Sequence, residues 1–487
     1  MLFSHRGLAA RTEKSAARPR RLNDGGYARV RGAKRRNAPT FTTSIKLPRQ
    51  MTLVEKITAH SAVVGVIGLG YVGLPLLAAF HRAGFPVIGF DNDAKKIEAL
   101  GRGENYLKHL GESLVADMAK VGRFDVTADA SRLREADAIL ICVPTPLGKH
   151  LEPDLSFVQR TADDVARALR PGQLIVLEST TYPGTTREIV LPRLAARGLT
   201  LGVDFFLAFS PEREDPGRKD FNTQTIPKLV GGIDAASGDV AVNLYRQAIQ
   251  QVVPVSSAEV AEAAKLLENV YRAVNIALVN EMKTVLSAMG IDVWEVIRAA
   301  ATKPFGYQPF YPGPGLGGHC IPIDPYYLTW KAREVGLPTR FIELAGEINH
   351  AMPQYVIERL VLALNQRGKA VKGSRILVLG LAYKPDVDDV RESPSFELIE
   401  KLVELGASID YSDPHVPATH RMRKYGDLGM RSVPVTPDAL KNYDAVLVAT
   451  HHKAFDWQMI ADHATLIVDT RNALRDVKGR RDHIVPA

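Results

Sequence analysis

A glycine-rich segment around one cysteine is the part of the sequence best suited to covalent chemistry. Residues 310–327 read FYPGPGLGGHCIPIDPYY, and Asp324 follows Cys320 by four residues. Glycines allow the backbone to approach a ligand closely and the prolines fix it, so we expect a stiff loop rather than a helix or strand. A thiol held beside a carboxylate in such a loop is a candidate nucleophile, whereas an isolated cysteine is more often an inert buried side chain. The segment alone leaves both interpretations open.

A second group of residues predicts a dinucleotide site. The sequence Gly68-Leu69-Gly70-Tyr71-Val72-Gly73 lies between an apolar run at 62–67 and a helical pattern at 74–83, and the next apolar run, 86–90, ends at Asp91. In such a βαβ unit the glycines permit a tight turn and close approach to a pyrophosphate, which faces the helix N-terminus. Asp91 can accept hydrogen bonds from the adenosine ribose and would repel a 2′-phosphate. The pattern therefore favours NAD over NADP.

The elements that must position these residues alternate between strands and helices. Strand patterns at 137–143, 173–177 and 205–209 extend the first α/β unit to about residue 250. The helical pattern over 257–289 is long enough to connect two domains, about 45 Å at 1.5 Å per residue, and carries Lys265 and Asn269 four residues apart on one face. A second strand-and-helix series begins near residue 374 and lacks the glycine fingerprint, so we assign it to substrate.

The predicted fold class is α/β, with two Rossmann-like doubly wound domains joined by a long central helix and a helical middle domain. The expected parts are a basic, disordered extension over 1–60, an NAD-binding domain over 61–255, a helical central domain with the cysteine loop over 256–367, and a C-terminal substrate-binding domain over 368–487.

Composition and charge narrow the functional classes. No apolar run reaches the roughly 18 residues of a spanning helix, so we expect no membrane contact. Two cysteines, Cys142 in an apolar strand pattern and Cys320, give no disulfide framework and fit a reducing compartment such as the cytoplasm. Residues 1–50 hold 13 of the 62 basic and 2 of the 54 acidic side chains, which leaves 49 basic and 52 acidic elsewhere. The body is thus slightly acidic, and we expect no nucleic-acid partner; we also assign no metal site.

Several motifs in order resemble the UDP-glucose/GDP-mannose dehydrogenase family over nearly all of residues 61–475. They are GLGYVG at 68–73, ESTTYPGT from Glu178, SPERE from Ser210, AKLLEN from Ala264, PGPGLGGHCIPID from Pro312, LAYKPDVDDVRES from Leu381 and the strand end Asp469-Thr470-Arg471. The resemblance implies a four-electron oxidation of a UDP-sugar at carbon 6 to the uronic acid, with two NAD reduced in turn.

The cysteine loop also bears on the substrate. It carries Ile323 where enzymes of the glucose type have a lysine, and it resembles the N-acetylhexosamine branch, most closely the UDP-N-acetylglucosamine 6-dehydrogenases. UDP-N-acetylglucosamine is therefore the favoured substrate. UDP-N-acetylmannosamine, UDP-N-acetylgalactosamine and UDP-glucose stay open as alternatives.

The resemblance further implies a role for each site residue. Cys320 thiolate would add to the aldehyde and give a thiohemiacetal, which oxidises to a thioester that water hydrolyses. Lys265 would stabilise the oxyanion, helped by a hydrogen bond from Asn269. Further proposed catalytic residues are Asp324 and Glu212 for proton exchange and Thr181 for holding a water. The implied cofactor contacts are Gly68, Gly70, Tyr71, Val72, Gly73, Asp91, Lys96, Pro144, Thr145, Thr181 and Arg391. The implied substrate contacts are Glu212, Arg213, Lys265, Asn269, Tyr311, Gly313, Gly315, Leu316, Gly317, Tyr383, Lys384 and Arg471.

Partners and rival functions complete the expectations. We expect a homodimer through the central helix and a product used for surface polysaccharide. The tail is typical of a transit peptide, of an extension upstream of a start at Met51, or of a nucleic-acid-binding arm; the bacterial type of family favours the extension. Rival functions are a single-step NAD dehydrogenase of the 6-phosphogluconate type, which needs no thiol, and a nucleic-acid-binding protein with a degenerate Rossmann domain, against which the acidic body argues.

Overall fold

A computed structural model of the chain describes residues 51–107, 110–214, 223–318, 320–422 and 425–487. The basic tail at 1–50 lies outside these residues, so its interpretation stays a prediction. The helix α1, Leu53–Thr58, falls inside the predicted disordered extension over 1–60, which is therefore wrong for these residues. A capping box between Thr52 and Glu55 begins the helix, and burial of Leu53 and Ile57 holds it against the body.

The first sheet has eight strands in the order β3-β2-β1-β4-β5-β6-β7-β8, and all neighbours are parallel except β6 and β7. The strands are β1 Val64–Ile67, β2 Val87–Phe90, β3 Phe124–Thr127, β4 Ala138–Ile141, β5 Gln173–Leu177, β6 Phe205–Phe209, β7 Lys228–Gly232 and β8 Val252–Val255. The helices that accompany them are α2 Gly73–Arg82, α3 Ala94–Gly101, α4 Leu114–Val121, α5 Ser156–Ala168, α6 Leu191–Ala195 and α7 Ala235–Arg246. The order reverses between β1 and β4, and ligands bind at the strand C-termini beside such a reversal.

Both faces of this sheet are covered, which explains why its strands are apolar throughout rather than alternating. Leu140 of β4 packs into the core on one face, whereas its neighbours Ile139 and Ile141 pack into the core on the other. The alternation of side chains along a strand produces this division.

A helical region follows, with α8 Ala258–Ala288, α9 Val293–Ala300, α10 Asp324–Glu334 and α11 Arg340–Asn365. Helix α8 has 31 residues and begins at a Ser257 cap, and α11 packs along it. No helix in the described part of the chain is both long and apolar enough to cross a membrane.

The second sheet is smaller and fully parallel, in the order β10-β9-β11-β12-β13. Its strands are β9 Arg375–Leu379, β10 Ser408–Ser412, β11 Ala445–Val448, β12 Ile467–Asp469 and β13 Ile484–Pro486. Its helices are α12 Pro394–Glu404, α13 Pro437–Leu440 and α14 Trp457–His463. The predicted class, α/β with two Rossmann-like sheets and a helical middle, is confirmed.

Candidate active site

A cavity of about 640 Å³ lies where the C-terminal strand ends of the first sheet meet α8, the cysteine loop and the second sheet. Most of the predicted site residues share this cavity. From the cofactor set it is lined by Gly70, Tyr71, Val72, Pro144, Thr145 and Arg391, and from the catalytic and substrate sets by Glu212, Arg213, Lys265, Asn269, Tyr311, Gly313, Gly315, Leu316, Gly317, Cys320, Asp324, Tyr383, Lys384 and Arg471. Gly68, Gly73, Asp91, Lys96 and Thr181 do not line it.

The glycine turn after β1 has the shape that a dinucleotide requires. Gly68 has φ +90°, and a Cβ there would lie 2.6 Å from the carbonyl oxygen of Cys142. A Cβ on Gly73 would lie 1.9 Å from the carbonyl oxygen of Gly68, whereas a Cβ on Gly70 would meet no atom of the described residues within 4 Å. Gly68 thus packs the turn against the residue that follows β4, Gly73 packs the start of α2 against the turn, and Gly70 leaves open space beside the cavity. These residues fit the pyrophosphate of NAD.

Asp91 and Lys96 support this turn from outside the cavity. Asp91 Oδ2 accepts a hydrogen bond of 2.9 Å from the Leu69 N–H and another of 3.0 Å from Lys96 Nζ. The Asp91 carboxylate therefore fixes the backbone of the turn, and Lys96 neutralises it. Their contacts with a ribose stay a prediction.

Arg391 connects the second sheet to the glycine turn. Its guanidinium lies 4.1 Å from the centre of the Tyr71 ring and donates hydrogen bonds to both carboxylate oxygens of Asp389. The Arg391 carbonyl also accepts a 2.9 Å hydrogen bond from the Gly318 N–H of the cysteine loop. One residue therefore joins the cofactor turn, the cysteine loop and the second sheet.

The nucleophile loop ends in a helix earlier than the sequence suggested. Helix α10 begins at Asp324, so the predicted loop over 310–327 is wrong from that residue onward. Pro325 is compatible with the first helical turn because no partner is needed there for its missing N–H. The Cys320 carbonyl accepts the N–H of Asp324 at 2.8 Å, which places Cys320 in the turn just before the helix.

Asp324 is held beside the two predicted residues of α8. Asn269 Nδ2 donates a hydrogen bond of 2.5 Å to Asp324 Oδ2, and Lys265 lies buried one turn before Asn269. Burial raises the pKa of Asp324 to about 7, although Lys265 and the Asn269 amide pull it down. Burial also raises the pKa of the Cys320 thiol, and Asp324 raises it further against the attraction of Lys265. The thiol must therefore lose its proton to a base as it reacts, and Asp324 is poised to titrate near neutral pH.

Glu212 and Arg213 enter the cavity from the loop after β6. Glu212 Oε1 accepts the N–H groups of Arg213 at 2.7 Å and Glu214 at 2.6 Å. Burial opposes the charge of Glu212, but Lys228 and these N–H groups outweigh it and lower the pKa. Arg213 forms an ion pair of 2.6 Å with Glu268 of α8. Glu212 is thus a charged carboxylate in the cavity wall.

The threonine expected to hold a water lies one residue away from the cavity wall. Thr181 is fully buried and its hydroxyl oxygen has no hydrogen-bond partner among the described residues. Its neighbour Thr180 lines the cavity instead. Side chains of adjacent residues after a strand point in different directions, so the motif alone did not distinguish them.

The glycines of the cysteine loop make room for the second sheet. A Cβ on Gly313 would lie 2.3 Å from an Nη of Arg471, and a Cβ on Gly317 would lie 2.5 Å from the Tyr383 side chain. The loop therefore passes directly over the two side chains expected to bind substrate. Tyr311 stacks on Trp294, with ring centres 5.8 Å apart.

Sequence reasoning missed a buried charged cluster at the cavity wall. Lys228 at the start of β7 pairs with Glu178 at 2.6 Å, and Glu178 lines the cavity together with Cys142. The glutamate was part of a quoted motif, but its partner lies 50 residues away on a strand that the sequence pattern did not predict. A lysine next to an apolar run was the available signal.

These features define an NAD-dependent dehydrogenase: a doubly wound sheet, a glycine turn at its switch point, and a thiol facing that turn across one cavity. Comparison with known proteins agrees. The UDP-glucose/GDP-mannose dehydrogenase family matches in three parts: its NAD binding domain at residues 62–249, its central domain at 259–351 and its UDP binding domain at 377–476. The chain belongs to this family, whose members use NAD.

Individual relatives align with most of the chain. The UDP-N-acetyl-D-glucosamine 6-dehydrogenase of Pseudomonas aeruginosa is 35% identical over 417 residues, 85% of this chain and 96% of the relative. The structure of the UDP-D-ManNAc dehydrogenase of Pyrococcus horikoshii superposes with a TM-score of 0.78 at 30% identity and covers 87% of this chain and 98% of that one. The NDP-N-acetyl-D-galactosaminuronic acid dehydrogenase of Methanosarcina mazei Go1 gives 0.71 at 33% identity, with 90% and 98% covered.

Proposed function

We propose that this protein oxidises the carbon-6 alcohol of a UDP-N-acetylhexosamine to the carboxylate in two NAD-dependent steps. The observation that carries the proposal is the convergence of Cys320, Lys265, Asn269 and Asp324 on one cavity that also contains the glycine turn. NAD, when bound at that turn, supplies the hydride acceptor. The relatives are named for N-acetylated sugars, which supports this class of substrate, but they are named for different members of the class. We prefer UDP-N-acetylglucosamine because of the resemblance of the cysteine loop.

The thiol explains how an aldehyde can be oxidised again. An aldehyde cannot lose a second hydride until a nucleophile has added to its carbonyl carbon. Addition of the Cys320 sulfur forms a C–S bond and an oxyanion, and the thiol proton passes to a base. Lys265 and the Asn269 amide lie on the α8 face that lines the cavity, where a buried positive charge and a fixed donor stabilise an oxyanion more than water would.

Two carboxylates serve the proton transfers. Burial raises the pKa of Asp324 to about 7, and its charge acts on Cys320, so Asp324 is suited to take the thiol proton. Glu212 stays charged in the cavity wall, and we assign it to the water that hydrolyses the thioester. We reassign the water-holding threonine from Thr181 to Thr180, because the latter lines the cavity.

The nucleotide end of the substrate belongs to the second sheet in this proposal. Arg471, Lys384 and Tyr383 line the cavity beside the glycine loop. A guanidinium can bind a diphosphate through two parallel hydrogen bonds, and Lys384 adds charge. Arg471 already donates to the Ala449 carbonyl at 2.9 Å, which orients its fork.

One assay tests the reaction and the sugar together. NADH formation is measured with UDP-N-acetylglucosamine, UDP-N-acetylgalactosamine, UDP-N-acetylmannosamine and UDP-glucose. We expect two NADH per sugar and the highest rate with UDP-N-acetylglucosamine. One NADH per sugar would identify a single-step dehydrogenase, and a clear preference for UDP-glucose would refute the N-acetylhexosamine assignment.

We also propose that a second copy of the chain covers the exposed side of α8. Large apolar side chains on this helix are open to solvent, among them Leu267, Leu278 and Val285 at 66, 53 and 49% exposure, and Met289 at the C-cap is 67% exposed. Monomeric proteins rarely expose a row of large apolar side chains, so this row indicates an interface. Light scattering should give a dimer mass for the native chain and a smaller mass for Leu278→Glu; a monomeric native chain would refute the interface.

The remaining proposals concern the domain boundaries, the cellular compartment and the use of the product. We retain 61–255, 256–367 and 368–487 as the NAD-binding, central and UDP-sugar-binding domains. The two free thiols fit a reducing compartment, and we propose the cytoplasm. A UDP-uronic acid serves as a glycosyl donor, so we propose surface polysaccharide as its use.

A further inference from the structure

A chain of three charged groups connects two carboxylates in the wall of the cavity. Glu212 Oε2 lies 3.4 Å from Lys228 Nζ, and the same Nζ lies 2.6 Å from Glu178 Oε2. The side chains of Lys228 and Glu178 are 4% and 0% exposed. One buried ammonium thus bridges the fully buried Glu178 carboxylate and the Glu212 carboxylate, whose side chain is 12% exposed.

The charges around Glu178 come from four neighbouring elements. They are Cys142 after β4, Glu212 after β6, Lys228 on β7 and Tyr245 on α7, whose hydroxyl donates to Glu178 Oε1. Glu214 and Lys265 act on the Glu212 end. Two carboxylates and one ammonium give a buried excess of negative charge, which is costly unless a proton is taken up.

A proton that this cluster takes up is bound best by Glu178. Burial raises the pKa of Glu178 to about 7 against the attraction of Lys228. The pKa of Glu212 is instead lowered, since Lys228 and two backbone N–H groups stabilise its charge against burial. Glu178 is therefore the better proton acceptor of the two carboxylates.

We propose that Glu178 is a positioning residue that receives, through Lys228, the proton that Glu212 takes from the hydrolytic water. The O–H bond on Glu212 breaks as a new N–H bond forms on Lys228, and another N–H bond of Lys228 breaks as an O–H bond forms on Glu178. Lys228 keeps its charge, no electron is transferred, and Glu212 returns to the carboxylate form. The inference rests on the proposed function, which supplies the water and the thioester.

The test compares three isosteric variants of the full chain by the pH dependence of kcat. In the native enzyme Asp324 and Glu178 must be ionised for successive steps, so log kcat should rise with a slope of about 1 below pH 7. In Glu178→Gln the hydrolysis step limits turnover and has lost its ionisation, so we expect a slope near 0, kcat reduced about 10- to 100-fold, and KM for both substrates within about twofold of native. Tyr245→Phe removes a donor to the Glu178 carboxylate, so its acidic limb should move to higher pH while the slope stays.

Glu262→Gln is the matched control. Glu262 is a buried carboxyl with its pKa raised to about 7 by burial, and it accepts the Gly184 N–H at 2.6 Å away from the cavity. Its variant should keep the slope of the native enzyme. The relay would be overturned if Glu178→Gln kept the slope of the native enzyme and a kcat within twofold of the native value. It would also be overturned if Glu262→Gln lost as much slope as Glu178→Gln.

A second readout separates the relay from the reaction. The infrared band of protonated carboxyls, titrated without substrate, should lose one group near pH 7 in Glu178→Gln; an unchanged titration overturns the assignment. If Glu178→Gln does not fold, the assignment would be overturned by a Tyr245→Phe variant whose acidic limb of the pH profile is not shifted. A native enzyme that forms no NADH from any UDP-N-acetylhexosamine would refute the proposed function, whereas native turnover with an unaltered Glu178→Gln profile would refute the relay alone.

Discussion

Lys283 is a buried lysine beneath the cysteine loop whose replacement should stabilise the protein. Its Nζ lies 3.5 Å from the Gly313 carbonyl oxygen and 5.1 Å from the centre of the Tyr355 ring. The charges that face it are Arg471 and Arg359, and both repel it. Burial, with these two arginines, lowers the pKa of Lys283 from 10.5 to about 7.

The magnitude follows from linkage between protonation and folding. The folded pKa is below the unfolded one, so folding is penalised at low pH and the penalty disappears above pH 10.5. At pH 7 the penalty is on the order of 4 kcal/mol, from 1.36 kcal/mol per pKa unit, and at pH 9.5 it is about 1.5 kcal/mol. Lys283→Met keeps the apolar stem and removes the charge. Loss of the contact with Tyr355 offsets about 1 kcal/mol, so about 3 kcal/mol of stabilisation is expected at pH 7.

The assay is urea unfolding of native and variant chains at pH 7 and pH 9.5. The variant should be more stable by about 3 kcal/mol at pH 7, and the difference should shrink by more than half at pH 9.5. Lys303→Met is the control, because Lys303 also lies over an aromatic ring, Phe305 at 5.3 Å, but is exposed. A destabilised Lys283→Met chain, or a difference that does not change with pH, would refute the reasoning.

Three further predictions concern the site. Gly313→Ala places a Cβ 2.3 Å from an Nη of Arg471, so KM for the UDP-sugar should rise at least tenfold. The control Gly101→Ala, whose Cβ would have no atom of the described residues within 4 Å, should leave this KM unchanged, and equal KM values for the two variants would contradict the prediction. Arg391→Lys loses the planar stack on the tyrosine ring of the glycine turn, so KM for NAD should rise severalfold in initial-rate assays; a native KM would speak against the contact. Asp324→Asn should lower kcat about 10²- to 10⁴-fold and remove an ionisation near pH 7 from its profile; an unchanged profile would exclude Asp324 as the base.

The parts of the fold predicted from sequence are those with strong local patterns. The glycine turn between β1 and α2 and the long helix α8 agree with their patterns within about two residues. Strands β7 and β8 were not predicted, because their short runs contain Lys228 and Pro254, which weaken a strand pattern.

The sequence predicted the site residues that lie within recognised motifs. It did not predict contacts between residues that are far apart along the chain. Asn269 and Asp324 are 55 residues apart, and the family resemblance brought them together before the structure did. Ile323, which we interpreted as a marker of the substrate, packs under α10 with Leu266 and Tyr327 and does not line the cavity. Any effect of Ile323 on the sugar must therefore pass through the position of Asp324, the next residue.

The most direct test of the central claim is the rate of UDP-uronic acid formation by Cys320→Ser, with Cys142→Ser as the matched control. Without the thiol the aldehyde has no nucleophile, so we predict that Cys320→Ser binds NAD with native affinity but forms almost no acid. The control, which changes the other cysteine at the cavity wall, should still release two NADH per sugar. Acid formation by Cys320→Ser at the native rate would contradict the account.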